Sequence, residues 1–149
     1  LFGTDAPMVA TVDPYGFRLY HDGRARAQYG YGDEFYIAQR TLLAPFANHT
    51  HWRLESLEFL SLISHVSYWE LGRRLSYRNI VWAFLDGEHD TDTVIREIST
   101  LMTTPGLMAP GGVIAVDNVD LGHLTQESLA DYNVVFSPNG PQAVLTVPS

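Results

Sequence analysis

Cysteine and lysine are both missing from this chain of 149 residues. Without cysteine there is no disulfide and no thiolate metal site, so any bound metal must be held by oxygen or imidazole. Without lysine, all nine basic residues are arginine, and no side-chain amine can serve as a base or form a Schiff base. Positive charge is scarce as well: 17 acidic residues leave a formal net charge of −8. Such a chain is not built to wrap a nucleic-acid backbone, and no nucleic-acid partner is expected. No apolar run approaches the roughly 18 residues of a membrane span, and no signal-peptide pattern is present. A soluble, cytoplasmic protein without a membrane partner is therefore expected.

What is present is globular in composition. Hydrophobic residues make up 46% and charged residues 17%, a balance that supports a core rather than disorder. The length suits one domain, 1–149, and no repeat or linker divides it.

Apolar runs alternate with helical spacing along the chain. Pro7–Gly16, PMVATVDPYG, predicts a short strand stopped by Asp13 and Pro14. A Gly-, Tyr- and Arg-rich loop follows, and helical spacing begins at about Asp33 in EFYIAQRTLLAPF. Thr50–Ser56, THWRLES, predicts a strand; LEFLSLISHVSYWELGRRL predicts one amphipathic helix with a basic end. NIVWAFLD is nearly continuous in apolar residues, as a strand covered on both faces should be. TDTVIREISTLMT predicts a helix, GGVIAVD a buried strand and LTQESLADY a short helix. YNVVFS and AVLTVP, flanking SPNGPQ, predict a closing hairpin. The alternation indicates an α/β fold, in which ligands bind beyond the carboxyl ends of the strands.

Polar residues gather at those ends. FLDGEHD closes one apolar run on Asp86, Glu88 and His89, and AVDNVD closes another on Asp117, Asn118 and Asp120. Asp86, Asp117 and Asn118 offer carboxylate and amide oxygens, the donors that suit a hard cation such as Mg²⁺. The same residues also suit helix caps and turns. His89 stands three residues past Asp86 and can take a proton from a substrate hydroxyl, or lie on a solvated first turn. Asp13 suits a ribose contact or a turn before Pro14. His49 and His51 have the H-x-H spacing of a strand metal pair, without an evident third ligand, and suit surface positions equally. Trp52, Trp69 and Trp82 read as core.

The run VWAFLDGEHDTDTVIREISTLMTTPGLMAPGGVIAVDNVDLG resembles the second half of a class I S-adenosylmethionine-dependent methyltransferase. Its strand, D-G-E-H, helix, P-G-G, strand and D-N pattern is similar to small-molecule O-methyltransferases of the metal-dependent branch, including bacterial antibiotic-tailoring enzymes. The resemblance implies a Rossmann-like sheet, mostly parallel with a C-terminal antiparallel hairpin. It implies a divalent cation, Mg²⁺, on Asp86, Asp117 and Asn118, with His89 as catalytic base in the place of the lysine of the catechol type. VATVDPYG is similar to the family's second strand and HWRLESLEFL to its third, which assigns S-adenosylmethionine contacts to Asp13 and Ser56, with Asp86 joining them. The implied activity is O-methylation of a small-molecule hydroxyl. A metal-dependent hydroxylation on the same scaffold would need a facial triad, and only one histidine, His89, stands near.

The family's first strand, with its E-x-G-x-x-x-G loop, has no counterpart here. LFGTDA, Leu1–Ala6, is too short, so the N-terminal part of the fold is expected to be missing from this chain. Three arrangements accommodate that. The polypeptide extends before Leu1. A second chain or a homo-oligomer completes the sheet. Or Val9–Val12 pairs directly with Ile80–Leu85, leaving a catalytically incomplete methyltransferase-like subunit for assembly or binding.

Overall fold

The computed structural model describes residues 8–13, 33–46, 48–65, 68–70, 73–75, 77–86, 91–117, 129–130, 132, 134–136 and 142–148. In chain order the elements are β1 (Val9–Val12), α1 (Asp33–Leu43), β2 (His49–Trp52), α2 (Ser56–His65), β3 (Tyr68–Glu70), β4 (Arg73–Leu75), β5 (Ile80–Leu85), α3 (Thr91–Thr103), β6 (Met108–Val116), β7 (Val134–Phe136) and β8 (Ala143–Thr146). The fold is mixed α/β. Among the described residues, no helix is long and apolar enough to cross a membrane. The chain divides into two compact units, Leu1–Phe59 and Leu60–Ser149.

In the first unit β1 and β2 pair in parallel, Val9 opposite His49 and Val12 opposite Trp52. Asp33 and Glu34 sit in the first turn of α1 and Arg40 in its last, each on the favourable side of the helix dipole. Asp33 also takes an ion pair from Arg53 at 2.6 Å. The start of α2 is fixed by Glu58, whose carboxylate accepts the Glu55 backbone N–H at 3.3 Å. This is the returning half of a capping box, which satisfies a donor that the helix leaves over. Trp52 packs on Phe59 with ring centroids 5.7 Å apart.

The second unit is organised by a four-stranded sheet in the order β5-β6-β8-β7. β5 and β6 are parallel and joined through α3, while β8 runs antiparallel to both β6 and β7. α3 packs on β6 and buries Val94, Glu97, Ile98 and Leu101, the i, i+3, i+4, i+7 stripe of an amphipathic helix. Ile98, Leu107, Ile114 and Leu145 are fully sealed from water, with Ile63, Leu129 and Val116 nearly so. The Pro110-Gly111-Gly112 step has a clear physical cause. Gly111 has φ 71°, and a Cβ on Gly112 would come within 2.9 Å of the Ala109 carbonyl oxygen and 3.0 Å of that of Ile80. The step skips residues between the Ile80–Met108 and Trp82–Val113 pairs and returns β6 to register. Arg78 ties the turn together, donating to the carbonyls of Pro105 at 2.7 Å and Ser64 at 3.0 Å.

Three expectations change. The sheet is not mostly parallel: the pairs β3–β4, β6–β8 and β7–β8 are antiparallel, against the parallel pairs β1–β2 and β5–β6. The cause is that β8 lies between β6 and β7, so the closing hairpin supplies half of the four-stranded sheet rather than an appendage to it. The long helix expected through Leu75 ends at His65 and gives way to the β3–β4 hairpin. The β-branched and aromatic run V-S-Y-W, favouring extended backbone, outweighs the helical spacing there. β5 is not covered on both faces. Among the described residues it is an edge strand of its sheet, with Val81 and Trp82 64% and 60% exposed, so Trp82 is not core.

Candidate functional site

Two clusters of chemistry-bearing residues emerge, one in each unit. In the second unit Leu85 lies opposite Val116 in the parallel β5–β6 pair, and the Asp117 N–H donates to the Leu85 carbonyl at 3.0 Å. Asp86 and Asp117 therefore leave two neighbouring strands side by side at their carboxyl ends, as the sequence predicts. Asp117 is half-buried and Asp86 exposed. The Gln142 side-chain amide donates to Asp117 Oδ1 at 2.7 Å, which fixes the carboxylate's orientation. Sequence reasoning missed Gln142. Its signal is positional: it immediately precedes β8, whose register places Ala143 opposite Val116. Among the described residues no three His, Asp or Glu side chains converge as a metal set. Asn118 and His89 lie outside the described residues, as does most of the expected helix LTQESLADY.

The first unit carries the other cluster. Asp13 follows β1, its N–H donating to the Trp52 carbonyl at 3.1 Å, and Ser56 opens α2 after β2. Both stand beyond the carboxyl ends of a parallel pair, the position predicted for them. Between Asp13 and the start of β1 lies Thr11, paired in register with His51. Residues i and i+2 of a strand share a face, so His49 and His51 point the same way, and Thr11 joins them. His49 Nε2 lies 3.1 Å from Thr11 Oγ1, and His51 Nδ1 is hydrogen-bonded to the same hydroxyl. A hydroxyl has one proton to give, so at most one ring accepts from Thr11 and at least one donates to it. Tyr36 stacks on His51 at 5.5 Å, and the Arg53 and Arg40 guanidinium groups lie 5.2 Å and 5.8 Å from the Tyr36 ring centroid.

Burial lowers the His51 pKa from the ordinary histidine value; the neighbouring His49 and Arg40 push the same way, and Asp13 opposes them. The unfolded chain then binds more protons than the folded one between that lowered value and about 6.5. Stability from this source is fully present above about pH 6.5 and is lost as pH falls through the window. Thermal midpoints should therefore drop between pH 7.5 and 5.5, and the drop should be shallower in His51→Gln. An equal drop in both proteins would assign it elsewhere.

No known protein family matches the chain, and no curated protein matches it significantly.

Proposed function

We propose that this chain belongs to an S-adenosylmethionine-dependent O-methyltransferase that acts on a small-molecule hydroxyl with a divalent cation. The observation that carries the reading is the side-by-side exit of Asp86 and Asp117 from adjacent parallel strands, with Asp117 held by Gln142. A helix-linked parallel pair that places oxygen donors at its carboxyl edge is the arrangement expected of an open α/β site. The D-G-E-H and D-N sequences at that edge support the same reading.

The residues present fit the implied groups chemically. Two carboxylates from adjacent strands suit a hard cation whose remaining positions are filled by water and substrate oxygens. Asp13, beyond the end of β1, suits a ribose hydroxyl pair, with Ser56 at the start of α2 suited to a neighbouring polar contact. When bound, the cation would lower the substrate hydroxyl's pKa and the cofactor would supply the methyl group. The protein's own work is then positional: Asp86, Asp117 and Asn118 orient the acceptor, Gln142 restrains Asp117, and His89 takes the hydroxyl proton.

Mn²⁺, an oxygen-seeking cation with a direct spectroscopic signal, tests this reading. Titrated into the protein, it should bind in competition with Mg²⁺. Asp86→Asn and Asp117→Asn should each weaken binding by at least about tenfold, since loss of even an outer-shell partner costs about 10–100-fold. Gln142→Ala should fall in that outer-shell range. Mn²⁺ affinity unchanged in both Asp variants would sink the proposal.

A further inference from the structure

We propose that His49 Nε2 and His51 Nδ1 form a chelating pair for a borderline divalent transition-metal ion, at the point on the β1–β2 face now bridged by Thr11 Oγ1. The reading is independent of the methyltransferase proposal and uses a different donor chemistry.

Convergence is the first ground. Both ring nitrogens are hydrogen-bonded to one hydroxyl, so both point at one small region, and a change of tautomer or loss of a proton on the donating ring leaves both as ligands. Two imidazoles on alternate residues of a strand are held there by the pleat, not by a flexible loop. Pre-organisation is the second ground. His49 and His51 stack with centroids 6.0 Å apart, and Tyr36 stacks on His51 at 5.5 Å, so the His51 imidazole is held between two rings. Access is the third. Thr11, His49 and His51 are all half-buried, which leaves an approach for a hydrated ion.

Donor type decides which ion. Imidazole suits Cu²⁺, Ni²⁺ and Zn²⁺, whereas Mg²⁺ and Ca²⁺ require oxygen. The neutral imidazole is the ligand form. The charge field is mixed: Asp13 acts on His51 in the sense that favours a cation, and Arg40 in the opposite sense. No third His, Cys, Asp or Glu completes the set among the described residues. The ion would keep water at its remaining positions, with the Thr11 oxygen as a further neighbour. Such an open centre differs from a closed structural zinc site, whose four positions are all protein ligands.

Cu²⁺ is the probe. One equivalent added to the metal-free, untagged protein should give an electron paramagnetic resonance spectrum with coupling to two imidazole nitrogens. His49→Gln and His51→Gln should each abolish the two-nitrogen pattern and weaken binding by at least about tenfold. Asp86→Asn and Asp117→Asn should leave it intact. Because the chain has six histidines, the variants separate this pair from the rest. Should a variant fail to fold, the wild-type protein still decides. Zn²⁺ should protect His49 and His51 from diethylpyrocarbonate, read by peptide mass spectrometry. A two-nitrogen signal that survives both substitutions, the absence of such a signal in the wild type, or unaltered modification of both residues under Zn²⁺ overturns the site.

Discussion

On the proposed methyltransferase reading, His89→Ala should lower the maximal rate of methyl transfer by about 10²–10⁴-fold, the usual contribution of a positioned general base. A hydroxyl loses its proton as its oxygen attacks a methyl group, and an imidazole suits the role of acceptor at neutral pH. The chain has no lysine and no cysteine to serve. His89 follows Asp86 by three residues in D-G-E-H, and Asp86 marks the carboxyl end of β5 beside the end of β6. The loss corresponds to about 3–5 kcal/mol of transition-state stabilisation. It should fall on the maximal rate, with cofactor affinity little changed, because the imidazole acts on the acceptor. The pH dependence of the wild-type rate should change in His89→Ala. A variant that keeps both its rate and its pH profile would remove His89 from the chemistry.

What was legible in the sequence follows from how local each signal is. The run T-D-T-V-I-R-E-I-S-T-L-M-T carries its own stripe of apolar residues, and α3 has those bounds. The closing hairpin and the β5 and β6 strands were equally readable, because each is an apolar run bounded by turn residues. The ends of those runs gave Asp86 and Asp117 their places on the strands, and the β5–β6 pairing sets the two strand ends side by side. Where a strand pairs is not a local property. Nothing in A-V-L-T states that it lies between β6 and β7, and that single placement turns the sheet from mostly parallel to mixed. Helical spacing misled in V-S-Y-W-E-L-G-R-R-L, because periodicity cannot weigh extended-chain preference against amphipathicity. Gln142 and Thr11 escaped notice for the same reason. A neutral polar residue acquires a role only when a partner strand brings Asp117 or two imidazoles to it.

Leu145→Ala should destabilise the protein by about 2–5 kcal/mol, whereas Val144→Ala, one residue away, should cost under about 1 kcal/mol. β8 alternates strictly between buried and exposed positions. Leu145 is wholly sealed from water, and Val144 is 37% exposed. Leu145 faces Ile114 across the antiparallel β6–β8 pair, and Ile98 of α3, which packs on β6, is sealed with them. Removing the Leu145 side chain forfeits its transfer free energy and leaves a cavity that β6 and α3 cannot fully close. Val144 loses two methyl groups from a partly wetted face and leaves no cavity. Natural domains hold only about 5–15 kcal/mol in reserve, so the first loss is a large fraction of the total. At about 2–4 °C per kcal/mol for a chain of this size, the Leu145→Ala midpoint should fall on the order of 10 °C below wild type. The comparison also tests register. A one-residue slip of β8 would exchange its two faces and reverse the order of the two costs. Thermal unfolding of the pair, followed by circular dichroism at one pH, separates the two registers. Equal losses, or a larger loss at Val144, would contradict both the register and the core built on it.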